Sequence, residues 1–380
     1  MSAVVTEGDH DGFYIWAVNE IETKNRGNTA FVLLEDGEVV NEYYGGNRVD
    51  KETLFPTASF SKWITALSVT SLVERKQLDL DAPVSTYLTR WQLPHSEFDH
   101  NKVTIRRLLS HTAGLTDGLG FGDYEADESI PPIEKALRNP RASSGDTVEI
   151  AVGVEPGAEF LYSGGGYLIL QLVIEEVTGD SFANHVRRTI FNPVGMSRSS
   201  FDFLGDLDNA SPSFHVDGSL APSYRYEAAA ATGLASSASD LVKLVEALLG
   251  DENSPLAPSS IGAMLEPHGF VLGFGVWGLG AILYAETASG DIVYGHDGVN
   301  SPAINASVRI NPESSDGFIM LVSGHPTLAS NIGSEWVLWQ SGYPDFLSTE
   351  RALKSAIVPI VIGVIAILLL FWIVWVRRRA

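Results

Sequence analysis

The first apolar pattern along the chain consists of two short runs of strand length, at residues 30–34 and 39–44. Asp36 and Gly37 lie between them, and this dipeptide favours the tight turn of a β-hairpin. Residues 12–21, just before the first run, combine apolar and polar positions at the spacing of a short amphipathic helix. The start of the chain therefore predicts one helix followed by a hairpin.

After residue 55 the apolar positions follow a helical spacing. Trp63, Leu67 and Leu72 repeat at intervals that bring them to one side of a helix. Pro56 disfavours helix in the residue before it, so this helix is predicted to begin near Ser59.

The middle of the chain, from about residue 80 to residue 250, has a mostly helical pattern, and strands return after residue 269. Helices are predicted at residues 103–110, 167–178, 182–191, 238–249 and 329–341, and strands at residues 282–286, 292–294, 304–310 and 318–322. Strands at both ends with helices between them predict an α+β fold. We expect one antiparallel sheet built from both ends of the domain and flanked by helices, with the mostly helical lobe inserted between them.

The end of the chain has a different character. Residues 356–376 form an uncharged apolar run, followed by the basic tail 377–380. At about 1.5 Å per residue a helix of this length spans roughly 31 Å, close to the hydrocarbon thickness of a bilayer. Trp372 and Trp375 lie near its basic end, as interfacial aromatic residues do. We predict one transmembrane helix in the lipid bilayer, joined by a spacer at residues 346–355 to a single domain at residues 1–345.

The side of the membrane that carries the domain is predicted from the charges that flank the run. The arginines at residues 377–379 favour a cytoplasmic C-terminus and hence an extracytoplasmic domain. Residues 1–11 lack the basic and apolar segments of a signal peptide. This leaves two alternatives, a start that lies upstream or a tail anchor with the domain inside. We expect a single-pass protein of the cell membrane with its domain outside.

The net charge of −22, from 47 acidic and 25 basic residues, narrows the range of partners. An acidic surface repels nucleic acid and anionic membrane surfaces, so we expect no nucleic-acid partner. The chain has no cysteine, which excludes disulfides, thiol catalysis and thiolate metal sites and leaves its compartment open.

The first candidate for chemistry is the pair formed by Ser59 and Lys62. Residues i and i+3 of a helix lie on one face, so the serine hydroxyl and the lysine amine can touch. A serine hydroxyl becomes a good nucleophile when a neighbouring base takes its proton, and a lysine can be that base. The helix N-terminus adds backbone N–H groups beside the serine. The alternative is a helix-capping serine followed by a solvated lysine.

Two further motifs contain polar residues next to glycine. Residues 162–167 hold three glycines that allow close backbone approach and leave room around Tyr162. A tyrosine beside a lysine can relay protons to and from a serine, although a glycine-rich turn with a half-buried tyrosine fits as well. Residues 295–301 follow an apolar strand directly. They place His296 where it can contact a substrate carboxylate or carbonyl, or else in a turn as an exposed histidine.

The three motifs in this order resemble the serine β-lactamase-like superfamily. The branch is that of class C β-lactamases, D-alanyl-D-alanine carboxypeptidases, D-aminopeptidases and family VIII esterases. Residues 59–62 match its S-x-x-K motif, residues 162–164 lie where it has Y-x-N, and residues 296–298 lie where it has K-T-G or H-x-G. Residues 108–115, 192–196 and 230–234 agree as secondary landmarks. The resemblance covers residues 13–343 and implies a β-lactamase/transpeptidase-like, peptidase S12-like fold.

The resemblance implies acyl transfer by a serine hydrolase without a metal or a cofactor. Ser59 would attack a carbonyl, and Lys62 and Tyr162 would handle the proton, with the base in each step left open. The oxyanion would lie between the backbone N–H groups of Ser59 and Val299. Water would then resolve the acyl-enzyme.

The resemblance also implies substrate-binding roles for His296, Gly298 and Gly164. Gly164 replaces an asparagine whose amide binds substrate, and His296 replaces a lysine that grips a carboxylate. An ordinary histidine is mostly neutral at pH 7, which weakens that grip. Both changes favour esterase or peptidase activity over dedicated β-lactamase activity. The alternative from another class is a penicillin-binding sensor or binding module that is acylated without turnover.

The other candidates are expected to be structural or superficial. His111 begins a helix-terminating turn and is predicted to be a structural hydrogen bonder. His95 and His100 lie in a polar loop beside Asp99, and no third ligand follows at a useful spacing, so we predict no metal site. Residues 117–130 are acidic and rich in glycine, which predicts a surface loop.

Overall fold

The computed structural model describes residues 3–118, 123–141, 148–250, 252–346 and 348–349, and residues 355, 359, 361, 363–365, 367, 368 and 372. The helices are α1 (His10–Lys24), α2 (Ser61–Glu74), α3 (Ile105–Leu109), α4 (Ile133–Arg138), α5 (Gly164–Thr178), α6 (Phe182–Val186), α7 (Asn192–Val194), α8 (Ala229–Thr232), α9 (Ala238–Leu249), α10 (Pro258–Met264) and α11 (Leu328–Ser341). Single 3-10 turns lie at Ala58–Phe60, Val84–Thr86, His100–Lys102 and Leu204–Asp206, and a π-helical turn lies at Arg187–Phe191.

The long strands belong to one antiparallel sheet. They are β1 (Thr29–Glu35), β2 (Glu38–Gly45), β9 (Gly269–Val271), β10 (Phe274–Trp277), β11 (Ile282–Glu286), β12 (Ile292–Asn300), β13 (Ile304–Asn311) and β14 (Asp316–Ser323). Their order is β2-β1-β14-β13-β12-β11-β10-β9. The other strands are two residues each: β3 (Phe55–Pro56), β4 (Asp123–Tyr124), β5 (Ser213–Phe214), β6 (Leu220–Ala221), β7 (Arg225–Tyr226) and β8 (Ala235–Ser236). The sheet thus joins strands from both ends of the domain, and the predicted α+β fold is confirmed.

The sheet is covered on both faces because its strands alternate between two hydrophobic clusters. Phe31 and Leu33 of β1 pack in one cluster with residues of α1 and α11. Val32 and Leu34 pack in the other cluster with residues of α2, α5 and α9. Successive side chains of a strand point to opposite faces, so β1 serves both layers.

The part of the chain between β2 and β9 is mostly helical in the described residues. Helix α2 lies inside the larger cluster and packs against α5 and α8. It also contacts β12, which brings its N-terminus to the sheet. The domain boundaries predicted from the sequence stay a prediction, including the inserted lobe at residues 80–250.

Two boundaries differ from the sequence prediction at the motifs. The predicted strand at residues 292–294 continues as β12 to Asn300, because its polar residues find buried partners in the sheet. Helix α5 begins at Gly164, before the predicted start at residue 167, because Ser163 caps it by accepting a hydrogen bond from the Gly166 N–H at 2.8 Å. The three glycines therefore form the first turn of a helix.

Most of the predicted transmembrane helix at residues 356–376 lies outside the described residues. The described positions of the run are helical. Its exposed apolar residues are Val361, Val364, Ile365, Ile367, Leu368 and Trp372, which are between 49% and 67% exposed. Among the described residues, no helix is both long and apolar enough to cross a membrane.

Candidate active site

Ser59 lies in a tight turn that joins the two-residue strand β3 to helix α2. The turn is fixed to a distant part of the chain, since the Thr57 N–H and hydroxyl both donate to the Leu234 carbonyl, at 2.9 and 3.0 Å. Ala58, just before the serine, has a positive φ of 49°. This region is unfavourable for a residue with a Cβ, and such strain is concentrated at functional sites. The fold therefore holds Ser59 in a defined position, directly after a strained residue.

Lys62 lies beside the serine. Its Nζ lies 3.3 Å from Oγ of Ser59 and donates to the Ala231 carbonyl at 2.9 Å. The rings of Tyr162 and Tyr167 lie 5.0 and 5.7 Å from Nζ. Lys62 is only 3% exposed, so the amine is held among aromatic rings and one carbonyl beside the serine hydroxyl. The structure thus brings the predicted pair together.

Tyr162 is positioned by a buried polar cluster at the start of α5. Its ring stacks on His111 with centroids 4.3 Å apart. The Ser163 N–H donates to Nδ1 of His111 at 3.0 Å, and the Ser163 hydroxyl donates to the Asp117 carboxylate at 2.7 Å. The Gly165 N–H donates to the same carboxylate at 2.9 Å. His111 is therefore a structural hydrogen bonder, and it also stacks on a candidate catalytic residue.

The predicted surface loop at residues 117–130 is wrong at its first residue. Asp117 is 7% exposed, and burial raises the pKa of its carboxyl group. Its hydrogen bonds join α5 to the turn that holds His111, as described above. The segment contains several acidic residues, and no local sequence pattern marks Asp117 as the most deeply buried of them.

His296 is buried within β12, so the alternative of an exposed histidine in a turn is wrong. Its Nδ1 lies 2.6 Å from the Asp297 carbonyl oxygen, which only accepts hydrogen bonds, so Nδ1 carries the proton. Burial, together with the charge of Lys62, lowers the pKa of His296 to about 3. The neutral ring thus presents no positive charge for the predicted grip on a substrate carboxylate.

The same two causes, burial first, lower the pKa of His111 well below its ordinary value. Because Nδ1 of His111 accepts from a backbone N–H, the proton of the neutral ring is on Nε2. The Nε2 atoms of both histidines are buried without a hydrogen-bond partner in the part of the chain that the structure describes. Nε2 of His111 is a donor and Nε2 of His296 is an acceptor, and both belong to the surroundings of Lys62.

Gly298 brings β12 against the nucleophile turn. A Cβ at this position would stand 2.0 Å from the Thr57 carbonyl oxygen and 3.1 Å from the Ser59 nitrogen. Only glycine allows this approach. Val299 follows directly and is 49% exposed. The structure therefore places the backbones of the two predicted oxyanion donors side by side.

Trp277 of β10 is a site residue that the sequence prediction missed. Its ring lies 4.8 Å from His111, 5.3 Å from His296 and 5.5 Å from Tyr162, centroid to centroid. Its Nε1–H donates to the Leu109 carbonyl at 3.2 Å. It contacts two of the three motifs and the turn that holds His111, all distant from it in sequence, so only the fold reveals it.

Asp297, between His296 and Gly298, faces the opposite layer. Its carboxylate accepts hydrogen bonds from the Tyr284 hydroxyl at 3.0 Å, the Ser307 hydroxyl at 2.7 Å and Nη2 of Arg309 at 3.0 Å. Nη1 of Arg309 donates to Asp345 at 2.6 Å. Arg309 and Asp345 are fully buried. This network anchors the strand that faces Ser59.

A cavity of about 240 Å³ lies beside the nucleophile turn and is bordered by Pro56, Thr232 and Leu234. Its other large side chains are Ile130, Phe201, Phe203, Leu204, Tyr224, Arg225, Tyr226 and Ile304, and the carboxylate of Asp202 also lines it. His100, one of the two loop histidines, contacts the Ser96 hydroxyl at 2.8 Å. Within the described ranges, no group of three or more His, Asp or Glu side chains is arranged to hold a metal ion.

Comparison with known proteins gives a family and several relatives. The Beta-lactamase family profile matches residues 16–340. Penicillin-binding protein 4* of Bacillus subtilis (strain 168) is 30% identical over 183 residues, covering 46% of this chain and 38% of that protein. Esterase EstB of Burkholderia gladioli is 28% identical over 187 residues, covering 45% of this chain and 44% of that protein. The matched part thus spans less than half the length of these curated relatives.

A solved structure extends the likeness over more of the chain. The octameric penicillin-binding protein homologue from Pyrococcus abyssi superposes with a TM-score of 0.71 at 26% identity. The superposition covers 91% of this chain and 81% of that one. The fold described above is therefore shared with a penicillin-binding protein homologue over nearly its full extent.

Proposed function

The chain belongs to the Beta-lactamase family, and from this we propose that it is a serine hydrolase that forms an acyl-enzyme on Ser59. The observation that carries the proposal is the 3.3 Å contact between Oγ of Ser59 and Nζ of Lys62. Burying a lysine amine costs free energy unless the amine is satisfied, so a buried amine beside a serine hydroxyl points to chemistry. The strained turn and the Tyr162 ring near the amine support the same interpretation.

In the proposed reaction, Oγ of Ser59 attacks a substrate carbonyl carbon while its proton passes to the Lys62–Tyr162 pair. The carbonyl oxygen becomes an oxyanion and accepts hydrogen bonds from the backbone N–H groups of Ser59 and Val299. When the carbonyl re-forms, the bond to the leaving alcohol or amine breaks and the leaving group takes the proton. A water molecule then attacks the ester on Ser59, releases the acid and restores the hydroxyl.

The proposed substrates are peptides, amides or esters. Gly164 has no amide side chain for a substrate amide, and the neutral His296 offers no cation for a carboxylate. Both features support an esterase or a D-amino-acid peptidase rather than a dedicated β-lactamase. The cavity next to the nucleophile turn is lined by four aromatic side chains and also by Asp202 and Arg225, so it suits a substrate group that is partly aromatic and partly polar.

A sensor that is acylated without turnover is the second candidate. Two of the relatives reported above are named as penicillin-binding proteins or homologues of them. Glycine at position 164, where the family's motif has asparagine, is compatible with slow deacylation. This candidate shares the first half of the reaction, so it differs only in whether water resolves the acyl-enzyme.

The test compares wild type with Ser59→Ala in the full chain. A short-chain nitrophenyl ester, a D-alanyl peptide and a penicillin are supplied, and product release is followed. We expect turnover of at least one substrate, and a loss of about ten-thousandfold or more in Ser59→Ala. Ser68→Ala is the matched control, because the Ser68 hydroxyl is buried in helix α2, which follows Ser59, and has no hydrogen-bond partner in the described residues. Near-normal turnover by Ser59→Ala would contradict the proposed mechanism.

We further propose that residues 356–376 anchor the protein in the cell membrane, with the hydrolase domain on the extracytoplasmic side. The length, the lack of charge and the basic end of the run support a single-pass helix. The exposed apolar residues at its described positions support a lipid environment, since water is a poor solvent for them.

The anchor is tested by carbonate extraction of cell membranes that contain the full chain. We expect the wild type to stay with the membranes. The double variant Ile365→Arg and Leu368→Arg should be released, because two charges in the middle of the run oppose insertion. Accessibility of the domain to protease in intact cells tests the proposed side. Extraction of the wild type would contradict the anchor.

A further inference from the structure

The hairpin formed by β9 and β10 has an apolar tip at the edge of the sheet. Phe270, Leu272 and Phe274 are 52%, 80% and 67% exposed. Single exposed apolar residues are ordinary, but three together on one hairpin indicate a surface that something covers. Strand β9 is also the last strand of the sheet, and proteins commonly protect such edges with charged residues.

The turn of this hairpin has a sequence that its backbone disfavours. Leu272 and Gly273 have φ values of 51° and 86°, and both φ values are positive, as in a type I′ turn. Asp36 and Gly37 form the turn between β1 and β2 with φ values of 51° and 81°. Asp is favoured at such a position, whereas a leucine is strained there and also unfavourably exposed. Two independent preferences are violated at Leu272, which points to a function for its side chain.

The hairpin and the residues that follow it, up to residue 285, differ from most of the protein because they carry no charge. Residues 269–285 contain no charged side chain in a chain of net charge −22. An acidic surface is repelled by most membranes, so an uncharged segment is where the domain can approach lipid at the lowest electrostatic cost.

The hairpin also lies next to the segment that precedes the C-terminal run in the sequence. A groove is lined by Phe274 and Val276 on the hairpin side and by Tyr343, Phe346 and Thr349 on the C-terminal side. Residues 350–355 join Thr349 to the run. An extended chain covers about 3.5 Å per residue, so the run begins within about 25 Å of the groove.

We propose that the β9–β10 hairpin is a second membrane contact, in which Phe270, Leu272 and Phe274 enter the lipid interface beside the C-terminal anchor. This inference rests on the proposed anchoring of residues 356–376. Two attachment points restrict the rotation of the domain on its tether. Because Trp277 of the same hairpin contacts three site residues, lipid contact fixes the orientation of the active site relative to the membrane.

The absence of cysteine allows a direct test with single-cysteine variants. Leu272→Cys, Asp36→Cys and Ile365→Cys are labelled with an environment-sensitive fluorophore in the full chain. Each is reconstituted into phosphatidylcholine vesicles with and without nitroxide-bearing lipids. Asp36→Cys is the matched control, since it occupies the equivalent position of the other turn.

We expect blue-shifted emission and nitroxide quenching at positions 272 and 365, and neither at position 36. Quenching at 365 with a water-like signal at 272 would overturn the hairpin contact and leave the anchor intact. A water-like signal at 365 would overturn the anchor and the inference that depends on it. Blue-shifted emission at 272 that is insensitive to nitroxide lipids would also overturn the proposal. In that case, its dependence on protein concentration would identify a second copy as the occupant.

Discussion

Two neighbouring residues of β12, His296 and Asp297, face opposite layers of the molecule and differ in how their polar atoms are satisfied. The Asp297 carboxylate accepts hydrogen bonds from Tyr284, Ser307 and Arg309. Nε2 of His296 is buried without a partner among the described residues. One strand therefore has a fully hydrogen-bonded carboxylate on one side and a buried ring nitrogen without a partner on the other.

The difference teaches which layer stabilises the domain and which is available for chemistry. Buried polar groups in proteins are nearly always hydrogen-bonded, so a satisfied network is a sufficient account of Asp297. The layer of His296 holds Lys62, Ser59 and the unpartnered Nε2 of His111. Such groups are where a substrate or a water molecule finds partners. We expect substitutions in the layer that Asp297 faces to lower stability, and substitutions in the layer that His296 faces to lower activity.

The largest effect on stability is expected for Arg309→Met. It leaves the carboxylates of Asp297 and Asp345 buried without a cation, which costs about 3–5 kcal/mol in free energy of unfolding. Urea unfolding measures the loss. Arg106→Met is the control, because its partner Asp81 is exposed and a surface ion pair contributes about 1 kcal/mol or less. Equal losses in the two variants would remove the distinction between the buried network and the surface.

The next effect concerns the layer that His296 faces, which contains Lys62. Lys62→Ala and Tyr162→Phe should each lower kcat/KM at least about a hundredfold, as removal of a general base does. Both should unfold at urea concentrations closer to that of wild type than Arg309→Met does. Lys102→Ala, which removes an exposed lysine, is the control for activity. Full activity in Lys62→Ala would show that the buried amine does not handle the proton.

A smaller effect is expected in the pH dependence of stability. Folded His296 has a pKa of about 3, whereas an unfolded histidine takes up a proton near pH 6.5. Between these values the unfolded state binds more protons, so the free energy of unfolding falls as the pH falls through this window. Above pH 6.5 the contribution is constant.

The measurement is urea unfolding of wild type and His296→Gln between pH 7 and pH 4. The variant has no imidazole at this position, so its stability should fall less steeply with decreasing pH. His111 gives wild type and variant a shared remaining slope, since its pKa is also lowered. Identical slopes in the two proteins would show that His296 is not held neutral by burial.

The sequence predicts the parts of this arrangement that depend on local spacing. The i, i+3 relation of Ser59 and Lys62 is a property of any helix, and the turn at Asp36 and Gly37 is a property of the dipeptide. The sheet made from both ends follows from where strand-like runs lie along the chain. The catalytic and substrate-binding roles stay predictions until they are measured.

The parts that the sequence does not predict depend on distant partners. His296 and Asp297 have the polarity of turn residues, but β12 continues through them in backbone pairing with β13. The Asp297 carboxylate is satisfied there by Arg309, Ser307 and Tyr284. Asp117 has the same sequence surroundings as solvated acids, yet it is held by Ser163. These partners come from other elements, so no window of sequence contains them.

The central claim is that the substrate's acyl group becomes bonded to Oγ of Ser59. Its most direct measurement is rapid quenching of the full chain with a penicillin or an activated ester, followed by mass analysis of tryptic peptides. Cleavage after Lys51 and Lys62 places the serine in the peptide 52–62. We predict an acyl adduct on this peptide that disappears as product forms and is absent in Ser59→Ala. Turnover without any adduct on this peptide, or an adduct that persists in Ser59→Ala, would contradict the account.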